Sequence, residues 1–126
     1  MNDAAAIDAL IIDDDEDIRQ LLKHKLEKQH YTIVEAADGF TGLEKLELES
    51  PDMVIADVMM PGMSGLELQD HLVREGSVLP IIMITAYGEF SLAVRAMRAG
   101  AVDFVEKPFS RQELLDRVHS AIERST

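Results

Sequence analysis

Short apolar runs and helix-period segments alternate five times along this chain, and that alternation leaves few architectures open. Ala9–Ile12 (ALII), Thr32–Glu35 (TIVE), Met53–Ala56 (MVIA), Pro80–Ile84 (PIIMI) and Val102–Val105 (VDFV) read as strands of a few residues each. The first, third and fourth are apolar without alternation, the pattern of strands covered on both faces. After each run, apolar residues recur three and four apart. The sets are Ile18, Leu21, Leu22 and Leu26; Leu43, Leu46 and Leu48; Leu66, Leu68, Leu72 and Val73; Leu92, Val94 and Met97; Leu114, Leu115, Val118 and Ile122. Such spacing lays one apolar stripe along a helix and predicts packing on a sheet. Local signals agree. Ser64 with Glu67, and Ser110 with Glu113, fit the capping box that opens a helix. Gly76 and Gly100 stand where a left-handed residue ends one, and Pro51 disfavours helical geometry at Ser50.

Five strands separated by helices demand crossovers between parallel neighbours, which are right-handed in nearly all cases. The expected fold is therefore α/β, a doubly wound five-stranded parallel sheet in the flavodoxin-like order 2-1-3-4-5. With 126 residues, the expectation is a single domain over 1–126. Twelve Lys and Arg against twenty-four Asp and Glu leave a formal charge of −12. That balance argues against binding a nucleic-acid backbone or an anionic membrane by charge alone. Without cysteine there is no disulfide, thiolate nucleophile or Cys-based zinc site. Asp3 stands where a signal peptide would carry Lys or Arg. No apolar stretch approaches the ~20 residues that span a bilayer. A cytoplasmic location is expected.

In this fold the ligand crevice lies beyond the carboxyl ends of strands 1 and 3, where the winding reverses. The first strand runs into Asp13-Asp14-Asp15-Glu16-Asp17, the third into Asp57 and the fourth into Thr85; Lys107-Pro108 closely follows the fifth. One rim thus collects carboxylates, a hydroxyl and an ammonium. Carboxylates within ~4–6 Å of one another repel unless a cation intervenes. Mg²⁺ suits such a site, using one or two carboxylates together with phosphate oxygens. A carboxylate beside it can attack phosphorus and form an aspartyl-phosphate. Asp57 is the best nucleophile because it stands alone at the central strand, while Asp13 and Asp14 are grouped for metal. Lys107 and Thr85 would meet the phosphoryl oxygens as charge develops. Taken singly, each feature has an ordinary structural role: acids favour a helix N-terminus, and Lys-Pro is usually a turn. Their coincidence at four ordered strand ends favours the chemical reading.

Ile11-Ile12-Asp13-Asp14-Asp15, Asp57-Val-Met-Met-Pro61-Gly-Met-Ser-Gly65, Ile84-Thr85-Ala86 and Lys107-Pro108-Phe109 resemble the receiver domain of two-component response regulators. The resemblance covers essentially the whole chain. Residues 99–109 look most like receivers of transcriptional regulators of the FixJ and NtrC kinds. The resemblance implies a signalling switch rather than a turnover enzyme, in which Asp57 accepts a phosphoryl group from a histidine kinase. It also implies Mg²⁺ held by Asp13, Asp14, Asp57 and the Met59 carbonyl, with Asp14 the more direct ligand of the first pair. Lys107 would pair with the phosphoryl group, Thr85 would move towards it, and Ala86 is small enough to leave access. Phe104 occupies the switch-aromatic position, and Met59 and Tyr87 stand where the phosphoryl lifetime is tuned. Pro61, Gly65 and Pro108 would be structural, with the Lys107–Pro108 bond often cis in such domains. The surface of the fourth helix, fifth strand and fifth helix would serve an output domain, a downstream protein or a phosphorylation-dependent homodimer.

Two other classes bear on the same residues. A haloacid-dehalogenase-type phosphatase also phosphorylates an Asp at a strand end. Asp13-Asp14-Asp15-Glu16 gives the two acids of its Asp-x-Asp-x-Thr/Val motif but lacks the last residue. A calcium loop could begin with Asp13, Asp15 and Asp17, but it needs Gly at 18 and Glu at 24, where Ile18 and His24 stand. His24, His30, His71 and His119 have no ligand spacing, and Met59, Met60 and Met63 are expected to pack.

Overall fold

The apolar runs pair into one parallel sheet. In the computed structural model, which describes residues 7–86 and 88–125, the strands are β1 (Ile7–Ile12), β2 (Tyr31–Ala36), β3 (Met53–Asp57), β4 (Ile81–Thr85) and β5 (Asp103–Glu106). The helices are α1 (Glu16–Glu27), α2 (Gly39–Glu49), α3 (Gly65–Arg74), α4 (Phe90–Arg98) and α5 (Arg111–Ser125). Asp3 and Tyr87, both singled out in the sequence, lie outside the described residues. The strand order is β2-β1-β3-β4-β5 with every pairing parallel, as the alternation predicts.

Successive strand residues serve opposite layers, as the strand period requires. Ala9, Ile11, Met53, Ile55, Ile82, Ile84 and Val105 face α1 and α5, joining Leu22, Leu26, Leu114 and Val118. Leu10, Ile12, Val54, Ala56 and Met83 face the other way, towards Leu43 and Leu46 of α2, Leu68 and Leu72 of α3, and Ala96 of α4. β1, β3 and β4 are buried almost throughout, which accounts for their unbroken apolar spelling.

Two predicted stripes are corrected. On α2, Leu48 is 79% exposed while Gly39 and Gly42 are buried; on α4, Ala93 and Ala96 are buried while Phe90 and Met97 are exposed. Val73 of α3 and Leu21 of α1 also face solvent. The physical reason is close approach: α2 lies so near β1 that a Cβ at Gly42 would sit 2.5 Å from Ile12 Cδ1. Large apolar side chains cannot occupy such contacts. Strand ends differ too. β3 and β4 each run one residue further than predicted, so Asp57 and Thr85 lie within the ladder, paired with Ile84 and Glu106.

The caps follow the sequence closely. Asp15 Oδ1 accepts from the amides of Asp17 and Ile18. Ser64 and Glu67 form a complete capping box at 3.2 Å each way. Ser110 Oγ accepts from the Glu113 amide (3.0 Å), while the Glu113 carboxylate turns towards Arg117. Gly76 and Gly100 both take positive φ. Ser50 ends α2 as expected, but in left-handed geometry (φ 46°, ψ 59°) rather than extended. Its amide still closes the last helical turn on the Leu46 carbonyl (3.3 Å). α4 is mounted unevenly. At its far end the Ala96 carbonyl accepts from both the Ala101 amide and the buried Gln69 Nε2, at 3.0 Å each. At its near end Glu89 offers no side-chain cap, and the Glu106 carboxylate accepts from the Gly88 amide.

Gly65 opens α3 directly over the backbone of β3, where a Cβ would lie 2.3 Å from the Asp57 carbonyl oxygen. Backbone cannot yield as the tip of Ile12 can. Gly65→Ala is therefore expected to cost roughly 3 kcal/mol and Gly42→Ala roughly 1 kcal/mol or less, since overpacking competes with the gain in helix propensity. Urea denaturation of both variants checks the order; equal costs would contradict the close approach at position 65.

Candidate functional site

The carboxyl edge of the sheet delivers its charged groups from three separate strands. β1 continues its ladder one residue past its end, with the Asp13 amide donating to the Ala36 carbonyl (3.2 Å). This carries the Asp13 side chain into full burial. Its Oδ1 accepts from the Asp15 amide (2.8 Å). Its Oδ2 has no hydrogen-bond partner among the described residues, although Lys107 Nζ stands 3.4 Å away. Asp57, at the last position of β3, is also buried. Its Oδ1 accepts from the Met59 amide (3.0 Å) and its Oδ2 from Lys107 Nζ (3.1 Å). Lys107 is placed by its own amide, which donates to the Thr85 carbonyl (2.7 Å) and extends the β4–β5 pairing.

Asp14 joins from the exposed side. One oxygen each of Asp13, Asp14 and Asp57 lie within 4.8 Å of one another. Three carboxylates thus confront one ammonium. Burial is the main force on Asp13, and the charge of Asp57 adds to it; together they overcome the Asp15 amide and Lys107 and lift the carboxyl to about 6. Burial alone would depress Lys107, but Asp57 and Asp13 outweigh it and hold the ammonium above its ordinary value. At neutral pH the cluster keeps an excess of negative charge, and the buried Asp13 Oδ2 faces only the Lys107 ammonium, with no hydrogen bond among the described residues. That donor set suits a hard divalent cation.

The remaining predicted residues surround this group. Thr85 is buried at the end of β4, one residue beyond Ile84, the partner of Asp57; Ala86 follows it and is exposed. The Met59 side chain is exposed while its amide serves Asp57. Pro61 lies exposed in the β3–α3 loop, Gly65 closes that loop by donating to the Val58 carbonyl (3.0 Å), and the Lys107–Pro108 bond is cis. Phe104 stands apart on β5, packed against the layer under α2, α3 and α4, with the Arg117 guanidinium 5.9 Å above its ring. Arg117 also bonds Asp103 and the Phe104 carbonyl, so α5 grips the edge strand. An apolar hollow of about 830 Å³ among Ile7, Pro51, Val78 and Ile122 lies away from all of these acids.

Sequence reasoning passed over Arg19, whose Nη1 donates to the Asp13 carbonyl (2.7 Å). An arginine in the first turns of an amphipathic helix reads as part of a solvated face. The available signal was its place six residues after Asp13, where a helix turns back over the strand end.

The raised carboxyl of Asp13 makes stability depend on pH with a definite sign. The folded chain holds the proton up to about pH 6, whereas an unfolded chain releases it near 3.8. Stability contributed by this group therefore falls as pH rises across that window and stays low above it. In metal-free buffer above about pH 7, Asp13→Asn is expected to be more stable than the parent by on the order of 1–3 kcal/mol. The two should converge below about pH 4. Urea melts across that range test this, and a less stable variant at high pH would contradict it.

Residues 9–119 match the response regulator receiver domain model. Over 116 residues the chain is 39% identical to the alkaline phosphatase synthesis transcriptional regulatory protein PhoP of Bacillus subtilis (strain 168), covering 92% of this chain and 48% of that protein. The chain thus spans about half the length of the curated relatives it matches. A crystal structure of a response regulator from Chloroflexus aurantiacus J-10-fl superposes with a TM-score of 0.87 at 33% identity, covering 94% of this chain and 99% of that one. NtrX from Brucella abortus, crystallised with ADP, superposes at 0.91 and 34% identity, covering 96% of this chain and 28% of that one. Over nearly all its length, this chain belongs to the receiver domain family of two-component response regulators.

Proposed function

We propose that this domain is a phosphorylation-dependent switch in which Asp57 accepts a phosphoryl group from a histidine kinase. The observation that carries the reading is the way Asp57 is held. One oxygen takes the Met59 amide and the other the Lys107 ammonium, in front of two further acids. A carboxylate oxygen of Asp57 forms the new bond to phosphorus. The bond from phosphorus to the donor's imidazole nitrogen breaks, and that nitrogen keeps the electron pair. Lys107, 3.1 Å from Asp57 Oδ2, follows the charge onto the phosphoryl oxygens. The buried Thr85 is adjacent and turns its hydroxyl to them. Attack by water on the acyl phosphate later restores Asp57 and releases inorganic phosphate, so the cycle times a signal rather than turning over a substrate.

The buried Asp13 Oδ2, with no hydrogen bond among the described residues, and the excess of carboxylates fit Mg²⁺. Asp13, Asp14, Asp57 and the Met59 carbonyl would hold the ion, which when bound neutralises charge shared by the acids and the phosphoryl group. A new phosphoryl group adds about −1.5 to −2 charges beside Thr85. It acts through its different interaction with two states of the domain: the loop after β4 is drawn in, Phe104 turns inward, and the surface of α4, β5 and α5 repacks. Phe90 and Met97, exposed on α4, give that surface apolar contact area for a second copy, an output domain or a downstream protein. Among the described residues no helix is long and apolar enough to cross a membrane, which supports a cytoplasmic setting. The charge of −12 speaks against direct nucleic-acid contact by this domain.

Incubation with a small phosphodonor and Mg²⁺, followed by intact mass, is expected to show one added phosphoryl group. It should vanish in Asp57→Asn and when Mg²⁺ is chelated; a phosphorylated Asp57→Asn protein ends the reading. Sustained hydrolysis of p-nitrophenyl phosphate would point instead to a phosphatase. Thr85→Ala is expected to accept phosphate almost as the parent does yet to lose phosphorylation-dependent dimerisation, measured by size exclusion with and without beryllofluoride. Normal dimerisation in that variant refutes the coupling through Thr85.

A further inference from the structure

We propose that Arg19, itself held by Glu35, is the positioning residue that aims the paired acids of the β1–α1 turn at the metal; this rests on the phosphoryl-acceptor reading above. Crowding of Asp13, Asp14 and Asp57 pushes the turn away from β3, so something must hold it down. Lys107 does part of this from the β5 side, 3.4 Å from Asp13 Oδ2, and three further contacts complete it. The Asp13 amide is tied to β2, its Oδ1 is tied to Asp15, and its carbonyl accepts from Arg19 Nη1 at 2.7 Å. The first two lie in the turn or ladder itself. Arg19 reaches the turn from α1 and fixes the Asp13–Asp14 peptide plane, hence the direction in which both side chains leave.

The guanidinium is in turn anchored from the neighbouring strand. Glu35, at the carboxyl end of β2, accepts from Arg19 Nε (3.4 Å) and Gln20 Nε2 (2.9 Å) and pairs with Lys23 (3.2 Å). The Lys45 ammonium of α2 donates to the Glu35 carbonyl. Arg19 is only 14% exposed and Glu35 25%, so this pairing is more shielded than an ordinary surface ion pair. A planar fork can serve the carbonyl and the carboxylate together, whereas a lysine ammonium is a single point. Outer-sphere partners of metal ligands commonly change affinity by about 10–100-fold.

The test is calorimetric titration of the whole chain with MgCl₂, alongside thermal melts. Arg19→Met is expected to raise the Mg²⁺ dissociation constant about tenfold or more. The maximal rate of phosphorylation by a small phosphodonor should return at saturating Mg²⁺. Arg19→Lys should fall between. Gln20→Ala, which loses a Glu35 contact without touching Asp13, should bind Mg²⁺ as the parent does. An Arg19→Met protein with parental Mg²⁺ affinity overturns the proposal, as does a Gln20→Ala protein weakened equally. If Arg19→Met does not fold, Arg19→Lys decides: weaker Mg²⁺ binding at an unchanged melting temperature supports the role, and parental binding removes it. A parent that binds no Mg²⁺, or an Asp57→Asn protein that is still phosphorylated, would instead bring down the functional reading itself.

Discussion

Lys107 is the only ammonium drawn into a rim that holds three carboxylates among the described residues, and the architecture around it follows from that imbalance. Its Nζ lies within 3.4 Å of oxygens from two different strands, so it ties the ends of β1 and β3 to the turn after β5. In a shielded setting such attractions far exceed those between surface charges. They still leave negative charge uncompensated, and the strained carboxyl of Asp13 records it. A site of this kind is held slightly against its own repulsion. It is ready for a cation and sensitive to any further anion placed beside it.

The sheet makes that imbalance sustainable. β1 and β3 are apolar along nearly their whole length and covered on both faces, so their ends cannot splay to relieve the charge. Gly65 brings the first turn of α3 against the Asp57 backbone, and the Ser64–Glu67 box fixes the turn before it. Rigid supports of this sort let a small electrostatic event be felt at a distance, because packed cores shift between arrangements rather than bending continuously.

Much of this was legible in the residues. Strand order follows from the alternation, and the rule that crevices open at carboxyl strand ends brings Asp13, Asp57, Thr85 and Lys107 to one edge before any contact is known. Caps at Ser64 and Ser110 are local and read directly. What stayed hidden was relational. The burial of Ala93 and Ala96 instead of Met97 depends on how near α4 lies to the sheet, which apolar spacing does not encode. Arg19 meets Asp13 and Glu35 only because α1 folds back across two strands. The partial burial of Phe104 beneath Arg117 likewise needs α5 to wrap the sheet edge.

The uneven mounting of α4 has a mechanical meaning. Nine residues of helix span about 13 Å. The distal end is pinned by two donors on the Ala96 carbonyl, one of them from a buried glutamine whose own oxygen has no hydrogen bond among the described residues. The proximal end, adjoining Thr85, begins without a side-chain cap, with Ala93 buried and Leu92 partly buried on the sheet. A rod clamped at one tip has its compliance at the other. Rotation about Ala96 sweeps Phe90 through the widest arc and leaves Arg98 nearly still, so a nudge of small amplitude at the strand end is magnified where the helix meets solvent.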